Sequence, residues 1–330
     1  MKMDKQLLSY FKNKRILITG ASGYIATKLV DALTDVDCTI VRLSRTDNLN
    51  AIKSKAEIVD VVGDICTKEV WEQNLDGIDI IYHFAAQTSV YVAKDDTNAD
   101  FQANVAPMLN MLETCRNKKL NPIILFAGTV TQTGITESLP VNETCKDSPV
   151  TVYDMHKLIA ENYLKFYCDE KIVRGATLRL ANVYGPGPSG NAGRGVLNMM
   201  IQKALAGEEL TIYGKGDCLR DYIYIDDVID AFLTAPKNID KLNGKHFIIA
   251  SGKGHTIAQA INLVADQAGI KTKQPVEVKH VKPPSEMSPI ESRNFVADTA
   301  QFAQATGWQC KYTLVDGIAA MMDQYLAVIK

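Results

Sequence analysis

The sequence predicts an α/β fold: a doubly wound parallel sheet followed by a smaller C-terminal α/β region. Three observations predict it. Short apolar runs alternate with stretches of helical periodicity along the first half of the chain. A glycine-rich turn, Gly20-Ala21-Ser22-Gly23, joins the first apolar run to the first helical stretch. Further on, Tyr153 and Lys157 are spaced Y-x-x-x-K, one helical turn apart on one face. Alternating β and α elements imply a sheet covered on both faces, with ligands at the carboxyl ends of its strands.

In chain order, Met1 to Tyr10 reads as a short amphipathic lead-in, not a signal peptide. Arg15-Ile16-Leu17-Ile18-Thr19 is an apolar run, predicted as a buried strand. After the turn, Lys28-Leu29-Val30-Asp31-Ala32-Leu33 has helical spacing. Strands are predicted at Thr39–Leu43, Ile58–Val62 and Ile78–Phe84. A long helix follows from about Asn98 to Arg116, then a strand at Pro122–Ala127, the helix with Tyr153, and a strand at Gly175–Leu180. From Asn182 through Pro188 to Gly195, proline and glycine cluster, predicting irregular chain that enters a second region. A helix from about Val196 to Ala206 and short strands come next. The tail begins near Gly269, contains Lys282-Pro283-Pro284, and ends in an apolar helix near Leu314 to Ile329.

With 46% hydrophobic residues, the chain can build one large or two modest cores. A formal net charge of -2 with dispersed basic residues predicts neither a nucleic-acid nor a membrane partner. No apolar run reaches membrane-spanning length. Seven unclustered cysteines predict reduced thiols in a cytoplasmic protein, and the scattered histidines predict no metal site.

Strand, glycine-rich turn and helix form the setting of a dinucleotide site. Gly20 allows the tight turn, Gly23 lets backbone approach a pyrophosphate, and Ala26 permits close helix–strand packing. A phenol beside an ammonium is a proton shuttle for an alcohol or ketone, because a nearby cation lowers the phenol pKa from about 10. Read from sequence, the lysine at 157 does this for Tyr153.

Gly20 to Ala26, His83-Phe84-Ala85-Ala86, Thr129, Tyr153/Lys157 and Arg220-Asp221-Tyr222, in this order, resemble the extended short-chain dehydrogenase/reductase family, in its nucleotide-sugar epimerase/dehydratase branch. The resemblance covers nearly the whole chain and implies a Rossmann-like fold. It implies Tyr153 as acid/base, Lys157 holding the nicotinamide ribose, and Thr129 bonding the sugar oxygen that gains or loses a proton. The implied cofactor shell is Gly20, Ser22, Gly23, Tyr24, Ile25, Ser44, Arg45, Asp64, Ile65, Ala85 and Ala86, with Tyr153 and Lys157. The implied substrate shell is Gln87, Ser89, Thr129, Asn182, Arg220 and Arg293, with Arg220 clamping the diphosphate. His83 reads as structural.

The second strand ends in Ser44-Arg45, where NAD-preferring relatives carry an acid. Arginine grips a phosphate with two donors, so NADP is favoured over NAD. Val130-Thr131 stand where the family's dehydratases carry Asp-Glu, which disfavours a 4,6-dehydratase. The expected division is a dinucleotide-binding domain over 1–180 with returns at about 215–260, and a substrate region over 181–214 and 261–330.

The leading reading is therefore an NAD(P)-dependent nucleotide-sugar epimerase acting through a transient ketone. The alternatives are an NADPH-dependent 4-ketoreductase of a deoxysugar nucleotide and a non-catalytic NAD(P)-sensing module. The expected partners are a nucleotide-diphosphate sugar and a second copy of the chain. The helices near Asn98–Arg116 and Asp154–Tyr167 are apolar on more than one face, and the resemblance implies that they pair across a four-helix interface.

Overall fold

The computed structural model describes residues 4–47, 49–187, 195–284 and 286–329. Its strands are β1 (Arg15–Thr19), β2 (Thr39–Ser44), β3 (Glu57–Val62), β4 (Ile80–His83), β5 (Ile123–Thr129), β6 (Arg174–Leu180), β7 (Asn182–Tyr184), β8 (Leu210–Tyr213), β9 (Leu219–Tyr224), β10 (Lys245–Ile249), β11 (Gly254–Thr256) and β12 (Val278–Val281). Seven of them form one sheet in the order β10-β6-β5-β4-β1-β2-β3. Every pairing in it is parallel. Small sheets of β11-β9-β7 and β12-β8 lie outside it.

Continuous apolar runs make these strands because both faces of the sheet are covered. Ile16, Ile18, Ile80, Tyr82, Ile123 and Leu125 face one core. Leu17, Ile81, Ile124 and Phe126 face the other, as the two-residue period of a strand requires. The first core is closed by the Tyr24–Leu33 and Ile225–Lys237 helices, through Leu29, Leu33, Ile229 and Phe232. The second is closed by the Lys68–Asn74, Ala106–Lys118 and Val152–Asp169 helices, through Trp71, Met111 and Leu164.

The single long helix expected from Asn98 to Arg116 is two helices, Thr97–Asn104 and Ala106–Lys118. Pro107 sits in the first turn of the second, where its missing N–H costs nothing. Of the irregular chain expected after Asn182, residues 188–194 lie outside the described residues. The strand at Lys245–Ile249 pairs with β6 and forms an edge of the main sheet. The last helix spans Leu314–Ile329.

Strand order reverses at β1, which has β2 on one side and β4 on the other. The helices that follow β1 and β4 cover opposite faces of the sheet, and the crevice at the carboxyl ends of these strands is the position where such sheets bind ligands.

Candidate active site

The crevice is built from backbone. Gly20 has φ +64, and a Cβ there would lie 2.9 Å from Ala85 Cα, so no side chain fits where the two loops meet. Gly23 caps the Tyr24–Leu33 helix without a side-chain bond, and a Cβ on it would lie 2.9 Å from the Gly20 carbonyl oxygen. The open N–H groups of that helix start suit an anion. Ser22 and Gly23 are exposed on the turn, whereas Tyr24 and Ile25 are half-buried behind it. The Tyr24 hydroxyl donates to the Gly185 carbonyl at 2.9 Å. This glycine cradle fits a dinucleotide pyrophosphate.

Thr19 fixes the facing loop. Its Oγ1 accepts from the Phe84 and Ala85 N–H groups, both at 3.1 Å, so its own proton goes to His83 Nδ1 at 2.9 Å. His83 is thereby held as the neutral Nε2–H tautomer. Burial and nearby Lys157 push its pKa down to about 3. It orients Thr19, whose hydroxyl holds the Ala85 N–H beside Gly20.

At the far edge of the crevice, Ser44 ends β2 and is buried, and Arg45 follows, exposed. Asp64 Oδ1 accepts the Cys66 N–H at 3.0 Å, and that bond, before the charge of Arg45, lowers its carboxyl pKa. Ile65 stands half-buried beside it.

Thr129 is the last residue of β5, and Tyr153 and Lys157 lie in the first turns of the Val152–Asp169 helix. Lys157 is buried at 3% exposure, with Nζ 3.9 Å from the centroid of the Phe126 ring. Burial pulls its pKa down to about 7, against the opposing pull of Glu161 and Asp100. The phenol of Tyr153 moves the other way from the sequence expectation: its pKa is raised, first by burial and then by Asp154 and Asp100. Lys157 is not among the groups that shift it, and its ammonium rests on the Phe126 ring.

Buried polar networks hold this helix. Asp100 accepts from Gln87 Nε2 at 2.6 Å and Asn104 Nδ2 at 3.0 Å, and its other oxygen is 2.6 Å from His156 Nδ1. Gln132 accepts from the Thr129 N–H at 2.9 Å and donates to Glu161 at 2.9 Å, and Glu161 also bonds Arg179. Thr129 Oγ1 lies 2.8 Å from Thr131 Oγ1, and Thr131 donates to Asp154.

The substrate residues are less uniform. Gln87, expected to face the sugar, has both amide atoms engaged by Ser89 and Asp100. Ser89 caps the Val90–Asp95 helix through the Val92 N–H. Asn182 begins β7, half-buried beside Tyr222. Arg220, expected as the clamp itself, uses three of its five donors on the carbonyls of Leu219, Glu291 and Arg293. It braces the segment that carries Arg293. Arg293 is buried and its Nη1 donates to the Ile290 carbonyl at 2.9 Å, its Nε has no partner among the described residues, and burial together with Arg220 lowers its pKa to about 10.

Sequence reasoning missed Asp154, His156, Asp100 and Phe126. The first two stand inside Y-D-M-H-K, where bulky polar residues between Tyr153 and Lys157 were a usable signal. The other two come from a separate helix and strand and carried none.

Known proteins resemble this arrangement across the chain. A UDP-glucose 4-epimerase of Mycolicibacterium smegmatis is 27% identical over 320 residues, covering 94% of this chain and 97% of that protein. The crystal structure of UDP-glucose 4-epimerase with UDP-glucose from Thermotoga maritima matches with a TM-score of 0.83 at 26% identity, over 96% of this chain and 100% of that one. That of the Thermus thermophilus UDP-glucose 4-epimerase complexed with NAD gives 0.80 at 27% identity, over 94% and 99%. The model of the NAD dependent epimerase/dehydratase family matches residues 16–250, and the crevice, the Tyr153–Lys157 helix and Thr129 all lie within that span. The chain belongs to the NAD dependent epimerase/dehydratase family.

Proposed function

We propose that this enzyme epimerises a UDP-linked hexose through a transient ketone, with Tyr153 as acid/base and Thr129 on the same sugar oxygen. One observation carries the reading. Buried Arg293, whose Nη1 donates to the Ile290 carbonyl but whose Nε has no partner among the described residues, lies within electrostatic reach of Asp154, next to Tyr153, so a guanidinium with donor capacity left borders the proton-transfer group. A diphosphate on Arg293 and Arg220 then sets its sugar toward Tyr153. A bound nicotinamide supplies the hydride chemistry, and the chain's own residues orient the sugar and handle the proton.

NAD(P) use is the coarser part of this reading, and the Thermus relative is a complex with NAD. The finer part, NADP ahead of NAD, rests on buried Ser44 and exposed Arg45 at the end of β2. The same pair favours a second reading, a 4-ketoreductase consuming NADPH. We assign the cofactor to 1–180 with about 215–260, and the sugar nucleotide to 181–214 with 261–330. The proposed partner is a second copy, seated on exposed Met155 and Phe166. A cytoplasmic location is supported by seven free cysteines. No helix among the described residues is long and apolar enough to cross a membrane.

The test is a panel of UDP-hexoses with and without added NADPH. Interconversion of two sugars with no net change in reduced nicotinamide is expected. Stoichiometric NADPH loss with a 4-keto sugar, and no isomerisation, would replace the epimerase with the ketoreductase.

A further inference from the structure

Gln132 is fully buried in the 3-10 turn Val130–Thr133 that follows β5. Its amide is used at both ends. Oε1 accepts the Thr129 N–H at 2.9 Å, and Nε2 donates to Glu161 Oε2 at 2.9 Å. The two neighbours permit only this orientation, since an N–H can only donate and an ionised carboxylate can only accept. Glu161 is held in turn. Arg179 donates to it through Nε at 3.0 Å and through Nη2, and reaches both oxygens of Asp147 at 2.6 and 2.8 Å. His246 Nδ1 stands 3.4 Å from the same Glu161 carboxylate.

Half of this arrangement is a capping box. Thr129 Oγ1 accepts the Thr131 N–H, and a glutamine three residues after the cap reaches back to the cap's own N–H. A cap needs neither burial nor a further partner, and Gln132 has both. β5 makes room for it with Gly128, where a Cβ would lie 3.0 Å from Gln132 Oε1 and 2.6 Å from Thr177 Cγ2 of β6. A side chain at 128 would therefore displace either the amide or the neighbouring strand. Glu161 lies four residues after Lys157, on the helix that also carries Tyr153. The Gln132 amide thus ties the end of β5 to that helix. Thr131 makes a second tie, to Asp154, but it joins side chain to side chain, whereas Gln132 grips the Thr129 main chain.

We propose that Gln132 is a positioning residue: by tying the Thr129 main chain to Glu161 on the Tyr153 helix, it fixes the Thr129 hydroxyl relative to the Tyr153 phenol on the sugar oxygen they share. The proposal rests on the reading above that Thr129 faces that oxygen. Tyr153 keeps the acid/base work, and Gln132 exchanges no proton with the sugar. What the tie supplies is geometry. Thr129 and Tyr153 come from separate elements, and a misplacement of about 1 Å between groups that must act together can cost roughly 10²-fold in rate.

The experiment compares Gln132→Met, Gln132→Glu, Thr129→Val and the Thr129→Val/Gln132→Met double variant, reading kcat, KM and melting temperature across pH. Gln132→Met keeps the length of the side chain and removes both bonds. It is expected to lower kcat about 10- to 100-fold with KM near wild type. Thr129→Val keeps the N–H and the shape of threonine but not the oxygen. Adding Gln132→Met to it should cost little further, since no hydroxyl is left to misplace. A glutamine that only supports the fold would cost the same factor in both backgrounds. Gln132→Glu adds a pH readout. Its carboxyl can serve both neighbours only while it shares a proton with Glu161, which Arg179 and His246 flank, with Asp147 beyond Arg179. Its rate relative to wild type should be highest at acid pH and fall as pH rises, because loss of that proton sets two carboxylates against each other. Wild-type kcat in Gln132→Met would overturn the proposal. So would an equal factor in the two backgrounds, a Gln132→Glu rate as low as that of Gln132→Met at every pH, or losses in rate that follow losses in melting temperature. Full activity of Thr129→Val would instead overturn the underlying reading of Thr129, whereas an inactive Thr129→Val beside a fully active Gln132→Met would remove only the role of Gln132.

Discussion

Lys157 places its ammonium 3.9 Å from the centroid of the Phe126 ring, and the same ring stacks on His83 at 5.6 Å. The cation of the Y-x-x-x-K pair is thus seated on an aromatic face at the second core, with the neutral imidazole of His83 nearby. A cation on a desolvated ring face gains about 2 kcal/mol, which does not offset the loss of water around an ammonium. The pKa of Lys157 accordingly falls to about 7.

That seat predicts a pH-dependent stability in the absence of ligands. The unfolded chain holds the Lys157 proton up to about pH 10.4, whereas the folded chain releases it near 7. Between those values the unfolded state binds more protons, so stability rises with pH. The burial cost is fully present below about pH 7 and is relieved toward pH 10. Lys157→Met should melt higher than wild type at neutral pH, by a few degrees for each kcal/mol recovered, and should lose that rise. Melting curves across this range check it, and parallel curves for the two proteins would contradict it.

Tyr153→Phe removes a hydroxyl and leaves the ring. Turnover is expected to fall roughly 10²–10⁴-fold, with cofactor affinity nearly unchanged. Because burial, Asp154 and Asp100 raise the phenol pKa, Tyr153 should stay protonated through neutral pH. Rate measurements beside cofactor titrations decide the matter. A variant within threefold of wild type would take Tyr153 out of the mechanism.

Much of the fold was legible because parallel strands covered on both faces must be continuous apolar runs, as Ile16-Leu17-Ile18 and Ile123-Ile124-Leu125 are. The Gly20 turn was legible because φ +64 favours glycine and a Cβ there would lie 2.9 Å from Ala85 Cα. The break at Val105 was not, since no glycine marks it and Pro107 sits where proline is tolerated. The state of the Tyr153–Lys157 pair was not legible either. Spacing shows that two side chains share a helix face, but Phe126 beneath Lys157 and Asp100 beside His156 are set by which strand and helix pack there. The bond from Gln87 to Asp100 was not legible for the same reason, because tertiary packing brings the two together.

Arg45→Ala should weaken NADP far more than NAD. Arg45 is exposed directly after buried Ser44, and its donors would meet only the 2′-phosphate. A charge-assisted hydrogen bond contributes about 1.5–3 kcal/mol, or about 10- to 100-fold in affinity. Titration of both cofactors against both proteins measures the ratio. Equal losses would assign phosphate reading to another group.

Met155 is 50% exposed and Phe166 is 56% exposed, on a helix whose opposite face is buried against the sheet. Phe101 and Val92 are exposed on neighbouring helices. A second copy seated on this face would cover that apolar area. Light scattering should give twice 36.3 kDa for the wild type and a single chain's mass for a Met155→Asp/Phe166→Asp double variant. A mass of 36.3 kDa for the wild type at every concentration would exclude the pairing.

The two arginines should behave as one unit. Arg220 donates to the carbonyls of Glu291 and Arg293, which fixes the turn that carries Arg293. Arg293 itself keeps a buried Nε without a partner and a pKa lowered to about 10, the mark of a cation short of an anion. If Arg220 acts mainly by placing Arg293, losing either should weaken UDP by a similar factor, and losing both should cost little more than losing one. Residues coupled in one network depart from additivity by about 0.5–3 kcal/mol. Calorimetric titration of UDP and UMP into Arg220→Ala, Arg293→Ala and the double variant measures that coupling. The effect should be larger for UDP, which carries the second phosphate. Fully additive losses would return Arg220 to the role of an independent clamp, and equal losses for UDP and UMP would move the diphosphate away from Arg293.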